Sequence, residues 1–302
     1  MNLTLLAPAK INLYLEVLKK IPSQHLHNIE TIMQTVSLFD LVSINCNKSN
    51  TKKNKIEIFT DCNCLNRLPK FKNLCYIAAD SFFESNKIYG FSLSIKVKKK
   101  IPLNAGLAGG SSDAAAVLKG LNCIFKNTCD ALFLEEIAKK IGTDVPFLLS
   151  GGTVVAKGVG TQIKKIKSLE SFYVLICKPN FDIFTEKAYK KFDKKYEMES
   201  YENNGMDDII SAINVASIKL VAEKLYNRFE VVAQSSVVTF IKSFMKQNGA
   251  LGALMSGTGS SVFGIFKERE KADKCKKVLK KSFKNVFLCE PINFGCKILG
   301  KN

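Results

Sequence analysis

Apolar and polar residues alternate over residues 11–18, Ile-Asn-Leu-Tyr-Leu-Glu-Val-Leu, and predict a strand with one richly apolar face. Residues 29–44 carry apolar runs broken by Asp40 and are again strand-like. Residues 47–72 are polar and rich in Lys and Asn, and read as a loop region around a short strand at 55–60. Leu74, Ile77, Ala78 and Phe82 recur at helical spacing and predict a helix over 73–86, and 91–97 alternate as a strand. Residues 102–121, PLNAGLAGGSSDAAAVLKGL, run from a glycine-rich loop into a helix with Ala114, Leu118, Leu121 and Phe125 on its apolar side. Ser111 and Ser112 sit where capping residues belong. A second helix covers 131–141, a turn follows at Gly142–Pro146, and glycines at 151, 152, 158 and 160 mark further turns.

The second half predicts strands at 172–177, 250–255, 262–266 and 285–290. Helices are expected near 185–193, 207–226 and 234–247, with a lysine-faced one over 271–284. Strands and helices mix without strict alternation, which favours α+β over a doubly wound sheet. A lobe boundary is expected near 155–172, and no internal repeat is present.

With 302 residues, 46% of them hydrophobic, the chain can bury a sizeable core and suits two lobes. It has no apolar run of the ~18–20 residues that a membrane span needs, and Pro8 and Lys10 interrupt its apolar start. Neither a membrane span nor a secretory leader is expected, so a cytoplasmic location follows. Ten cysteines include no C-x-x-C pair, Cys62 and Cys64 being the closest two, and the only histidines are His25 and His27. A zinc site or disulfide scaffold is therefore not expected. The formal charge of +18 raises nucleic-acid binding. It comes from 42 Lys and only three Arg (Arg67, Arg228, Arg269), spread along the chain. Bidentate base readout favours Arg, so no specific nucleic-acid partner is expected. Part of the charge is suited to attracting an anionic small molecule.

In the glycine-rich stretch, Gly106, Gly109 and Gly110 leave successive backbone N–H groups unshielded ahead of a helix start. Two readings stand: a polyphosphate cradle with serine hydroxyls beside it, or a plain glycine turn capped by serines. No G-K-[ST] follows and G-x-G-x-x-G is absent, so it is neither a Walker A loop nor a dinucleotide fingerprint. V-A-I-K, HRD and DFG, the marks of protein kinases, are missing too.

Three stretches resemble the GHMP kinases: Pro8-Ala9-Lys10-Ile11-Asn12-Leu13, the run from Pro102 to Ala115, and Leu254-Met255-Ser256-Gly257-Thr258-Gly259-Ser260-Ser261-Val262-Phe263. The resemblance implies a two-lobed α+β fold. Residues 1–160 would form a lobe like the second domain of ribosomal protein S5, with the phosphate loop and catalytic residues. Residues 161–302 would form a ferredoxin-like α/β lobe contributing to substrate binding. ATP and Mg2+ are the implied cofactors. GTDVPF at 142–147, and Lys178-Pro179 followed by Thr185 and Tyr189, resemble the branch that phosphorylates a hydroxyl of cytidine-diphosphate-linked methylerythritol. A homoserine or mevalonate kinase-like activity is the alternative. The state implied is a monomer or homodimer.

Residue by residue, the resemblance makes Lys10 and Asp144 the catalytic pair, 134 positions apart. Asp144 would take the proton of the attacking hydroxyl. The ATP cradle is Pro102, Leu103, Asn104, Ala105, Gly106, Leu107, Ala108, Gly109, Gly110, Ser111 and Ser112, with Asn73 and Leu74 at the adenine. Asn12 and His27 would hydrogen-bond the cytosine, Tyr189 would stack on it, and Thr185 would line the substrate. The 256–261 motif would close the site from the second lobe. No side chain is assigned as a metal ligand. On the residues alone, Lys10 also reads as a solvated strand-end lysine, Asp144 as a helix cap, Asn73 and Leu74 as a helix start, and 256–261 as a hairpin turn. The family often has Asp-Gly-Tyr-His where this chain has Gln24-His25-Leu26-His27, so Leu26 stands in place of a stacking tyrosine. Ala108 replaces a loop glycine.

Overall fold

The computed structural model describes residues 1–21, 26–196 and 205–301. The alternation at 11–18 is the middle of a longer strand, β1 (Asn2–Ile21), paired antiparallel with β2 (Leu26–Lys48) over most of its length. Register shifts at Pro8/Ala9 and Asn12/Tyr14 bracket Lys10 and Asn12. Such irregularities bend a strand and re-aim its side chains, here at the two positions that carry polar groups inward.

The first sheet runs β12 (Lys297–Lys301), β1, β2, β4 (Phe91–Lys98), β3 (Lys55–Thr60). Three further strands attach to it. β5 (Thr153–Lys157) pairs with β2 and with β6 (Gln162–Lys165), and β8 (Tyr226–Asn227) lies parallel to β1 at Tyr14 and Leu15. Helices α1 (Leu74–Ser85), α2 (Gly109–Ile124), α3 (Ala131–Ile141) and α4 (Val145–Ser150) supply its covering layer. Phe82, Val117, Leu118 and Phe147 join Leu5, Val42, Ile44 and Ile95 in one buried cluster.

The second sheet runs β11 (Asn285–Cys289), β7 (Tyr173–Lys178), β10 (Val262–Phe266), β9 (Gly252–Met255), all antiparallel. Counted along the chain, its strands lie in the order 4-1-3-2, a ferredoxin-like arrangement. Further helices are α5 (Thr185–Tyr196), α6 (Gly205–Asn214), α7 (Ile218–Glu223), α8 (Ser236–Gln247) and α9 (Arg269–Leu279), besides single helical turns at Asn63–Asn66 and Glu230–Ala233. Ile241 and Met245 of α8 and Ala272 and Cys275 of α9 pack with Cys177 and Val262. Val174, Ile176, Phe263 and Ile265 instead share a buried cluster with Ile11, Leu13, Val36 and Ile101. The two sheets therefore meet in a common core, which fixes β1 against the second lobe.

Four details differ from the sequence reading. The helix expected over 207–226 is split, because Ala216 takes a left-handed φ of 55° and Ser217 caps α7 by accepting from Leu220 N–H. Tyr226 then leaves as β8. The lysine-faced helix ends at Leu279 rather than 284. The helix after the glycine loop starts at Gly109, with Ala108 (φ 55°) turning the chain into it, so Ser111 and Ser112 lie in its first turn rather than at the cap. Strands β6, β8 and β12, all beyond residue 160, belong to the first sheet. No helix among the described residues is long and apolar enough to cross a membrane. All ten cysteines are unbridged.

Candidate active site

A cavity of about 1060 Å³ is lined from both lobes. Its walls include every residue from 102 to 111 together with Lys10, Asn12, His27, Leu74, Asp144, Thr185 and Tyr189. Two of the expected residues turn elsewhere. The Asn73 side chain caps α1 by accepting from Cys75 N–H at 3.0 Å, and Ser112 is buried with its Oγ 4.0 Å from Cys296 Sγ. Gln24 and His25 lie outside the described residues.

Lys10 and Asn12 are two apart on β1 and so share a face. Lys10 is buried, and its Nζ donates to Asn12 Oδ1 at 2.7 Å. Asn12 Nδ2 donates to Thr31 Oγ1 at 2.8 Å, and Thr31 donates to the Tyr14 carbonyl at 2.6 Å. This chain of bonds holds the ammonium on a rigid two-stranded scaffold. Asp144 Oδ2 lies 3.8 Å from Lys10 Nζ. Asp144 occupies the position before α4, yet its side chain makes no capping bond, and 31% of it is exposed. Its carboxylate is thus left facing the cavity instead of being consumed by the helix end.

The glycine loop is strapped to both lobes. Lys10 N–H donates to Leu107 O at 3.1 Å, and Ser261 N–H donates to Ala105 O at 3.3 Å. Ser256 Oγ donates to Gly106 O at 2.9 Å, and Asn104 Nδ2 donates to Asp182 Oδ2 at 3.0 Å. Lys178, buried at the end of β7, holds Asp182 from behind at 2.9 Å. A Cβ on Gly109 would press on Ile101 at 3.0 Å, whereas one on Gly110 would meet only Leu74, at 3.6 Å. Gly110 is therefore the barer position, while Gly109 permits the loop to lie against the core. Gly257 and Thr258 complete the wall from the second lobe. The 256–261 motif is also the turn joining β9 to β10.

Beneath this loop lies a buried charge cluster. Lys99 Nζ donates to Asp40 Oδ2 and Asp113 Oδ2, each at 2.5 Å. Asp40 Oδ1 also accepts from Lys100 and Ile101 N–H. Asp113 Oδ1 has no hydrogen-bond partner. Burial pushes the Asp113 carboxyl up to about 8, against the pull of Lys99 and with the repulsion of Asp40. Burial alone would lower the Lys99 pKa, but the two carboxylates outweigh it and raise it. Two acids share one ammonium.

At the far end, His27 stacks on Tyr189 with ring centroids 4.9 Å apart, and Phe229 meets Tyr189 edge-on at 4.8 Å. Burial pushes the Tyr189 phenol up to about 12, with Asp144 and Asp193 adding to it. His27 Nε2 lies 2.6 Å from Asp193 Oδ1, and Lys20 Nζ donates to Asp193 Oδ2 at 3.1 Å. Lys20, Lys99 and Asp193 line the cavity and were not anticipated. Asp193 had a legible signal: Thr185, Tyr189 and Asp193 recur every four residues, one face of α5. Lys99 had none, since it stood in an undifferentiated run of three lysines.

A nucleotide-sized cradle beside an isolated Lys–Asp pair, on a ferredoxin-like lobe joined to a longer first sheet, is the architecture of a small-molecule phosphotransferase. Family models for the GHMP kinases N terminal domain and the GHMP kinases C terminal match residues 73–152 and 209–285. A 4-diphosphocytidyl-2-C-methyl-D-erythritol kinase of Caldicellulosiruptor bescii is 39% identical over 293 residues, covering 95% of this chain and 99% of that protein. The enzyme of the same name from Clostridium tetani is 37% identical over 288 residues, with 95% and 99% covered. A crystal structure of 4-(cytidine 5'-diphospho)-2C-methyl-D-erythritol kinase superposes with a TM-score of 0.77 at 27% identity, covering 96% of this chain and 99% of that one. Homoserine kinase from Cytophaga hutchinsonii, at 19% identity and a TM-score of 0.79 over 99% of this chain and 97% of that one, shares the fold. The chain belongs to the GHMP kinases, in the branch of the 4-diphosphocytidyl-2-C-methyl-D-erythritol kinases. It is an ATP-dependent kinase.

Proposed function

We propose that the cavity phosphorylates the 2-hydroxyl of 4-diphosphocytidyl-2-C-methyl-D-erythritol from ATP, giving the 2-phosphate, a step of the non-mevalonate route to isoprenoid precursors. The observation that carries this reading is the Lys10–Asp144 pair, 3.8 Å apart and facing the same cavity as the glycine loop. Asp144 accepts the hydroxyl proton as the alcohol attacks the terminal phosphorus. Lys10, 3.8 Å away, helps fix where the carboxylate points. The loop 102–111 and the start of α2 hold the phosphates through backbone N–H groups and the helix dipole. Leu74 packs at the adenine, and the His27–Tyr189 pair receives the cytosine. Asn12, held by Lys10 and Thr31, joins His27 in hydrogen-bonding the base, and Thr185 lines the substrate. Phosphoryl transfer asks the protein mainly for positioning and charge stabilisation, which these groups supply.

Magnesium suits this donor set. It binds through one or two carboxylates plus substrate phosphates rather than an all-protein cage, and no metal-holding group of three or more His, Cys, Asp or Glu exists among the described residues. Ser111, in the cavity wall at the start of α2, is the side-chain oxygen that would hold it beside the phosphates. When bound with ATP it neutralises phosphate charge.

Two lobes, 1–160 and 161–302, exchanging a few strands, are the organisation this reading adopts. A monomer or homodimer in the cytoplasm, without a specific nucleic-acid partner, is its setting; ten unbridged thiols support a reducing compartment. The test is ADP release from ATP with the cytidine-linked alcohol, homoserine and mevalonate as separate acceptors. Release with the first alone is expected, and release only with either of the others refutes the reading.

A further inference from the structure

We infer that Asp193 determines which nucleobase the acceptor carries, selecting an edge with an exocyclic amino group over one with a carbonyl at the same place. This rests on the proposed cytidine-linked substrate and adds to it the residue that reads the base. Three observations converge. Asp193 lies one helical turn beyond Tyr189 and two beyond Thr185, so α5 presents all three to the cavity. Its carboxylate is held by His27 Nε2 at 2.6 Å on Oδ1 and by Lys20 Nζ at 3.1 Å on Oδ2. It is nevertheless 27% exposed, while the His27 side chain is 4% exposed.

A carboxylate offers only acceptors, with about four lone-pair sites on its two oxygens. Two are used here, and the others remain for a ligand. Because the carboxylate can only accept, the hydrogen between it and His27 sits on Nε2. The Asp193 carboxylate thus offers acceptors for an amino group and no donor for a carbonyl. Cytosine presents N4–H2 at the position where uracil presents O4, and aspartate accepting from cytosine N4 is a known geometric match. Uracil would set its O4 lone pairs against the carboxylate, with no bond to offset the lost hydration. Among the described residues, Lys20 is the lysine touching Asp193 that could offer a donor instead, and Asp193 already engages it. An ion pair of purely structural meaning would leave base preference untouched, which separates the two roles.

The experiment measures binding of cytidine 5'-diphosphate and uridine 5'-diphosphate by calorimetry, and kcat/KM for the cytidine- and uridine-linked alcohols. It uses the full chain, Asp193→Asn, Asp193→Ala and Lys20→Met. The unaltered chain is expected to favour the cytidine ligand by about tenfold or more, the worth of one charge-assisted hydrogen bond. Asp193→Asn should shrink that ratio to near unity by losing cytidine affinity, with the KM for ATP unchanged. Asp193→Ala should lose cytidine affinity as well. Lys20→Met, which keeps the carboxylate, should keep the preference whatever happens to overall affinity. A ratio in Asp193→Asn within twofold of the unaltered chain overturns the assignment. So does an equal loss of preference in Lys20→Met. If neither linked alcohol is phosphorylated, the substrate reading fails by itself, and the two diphosphates still decide the role of Asp193.

Discussion

Gly106 and Ser256, 150 positions apart, are in backbone contact: Ser256 Oγ donates to Gly106 O at 2.9 Å, and a Cβ on Gly106 would lie 2.0 Å from Ser256 O. Gly106 also has φ +70°, a conformation that L side chains rarely adopt. The phosphate loop is thus seated by the second lobe. Gly106→Ala should cost about 2–3 kcal/mol or more from clash and strain together. It should raise the KM for ATP, since the loop must lift away from Ser256. Ser256→Ala should cost about 1 kcal/mol, the bond alone. Denaturant melts and ATP kinetics on both variants check the order, and equal effects would deny that the glycine is the tighter constraint.

Asp144→Asn should lower kcat by about 10²–10⁴ while leaving the KM for ATP nearly unchanged, because the amide cannot take a proton but fills the same space. Substantial turnover by that variant would remove Asp144 from the role of base.

Gly110→Val should block nucleotide binding with little loss of stability, as its side chain would have only Leu74 nearby on the protein side. Gly109→Val should do the reverse in part, destabilising the fold by pressing on Ile101. Calorimetric ATP titration beside thermal melts separates the two.

Ala108 holds φ +55° at the entrance to α2. Glycine enters that conformation freely, so Ala108→Gly should stabilise the protein by up to about 1 kcal/mol, net of the extra freedom glycine gives the unfolded chain. A fall in Tm would mean that the Ala108 methyl, partly buried beside the first core, contributes more by packing than its backbone loses.

The Asp113 carboxyl, raised by burial to about 8, binds its proton more tightly in the folded than in the unfolded state. Stability therefore falls as pH rises from about 4 to about 8, and this penalty is complete above that window. Asp113→Asn keeps an acceptor for Lys99 and removes the titration, so the decline should flatten. Urea midpoints from pH 5 to 9 for both proteins test this, and parallel curves would contradict it.

Much of the chemistry was legible because it resides in short contiguous runs. The strand holding Lys10, the glycine loop and the turn before Pro146 each announce a local backbone shape. What brings Lys10 to Asp144 is not local: it depends on β2 pairing with β1 and on α4 packing against α2, which lies on β1, and no periodicity reports that. The break at Ala216 is not legible because alanine is ordinarily the best helix former; here it turns left-handed as Ser217 N–H bonds back to Ala212 O. Asn73 was assigned to the adenine, but its short amide is taken by the α1 cap, a competition familiar for asparagine at helix starts. The single-residue role of Lys99 was hidden by its equally basic neighbours.

The partner of β1 on its outer edge is β12, whose residues Lys297–Lys301 pair with Leu3–Leu6. During synthesis at about 5–20 residues per second, a ribosome needs roughly 15–60 seconds to reach them. Throughout that interval the strand bearing Lys10 presents an unguarded flank of backbone donors and acceptors, a ready template for another nascent chain. Crowded polysomes and fast overexpression are therefore where this enzyme should be most prone to inclusion bodies, and a chaperone that shields that flank should be worth more than one acting on the finished fold.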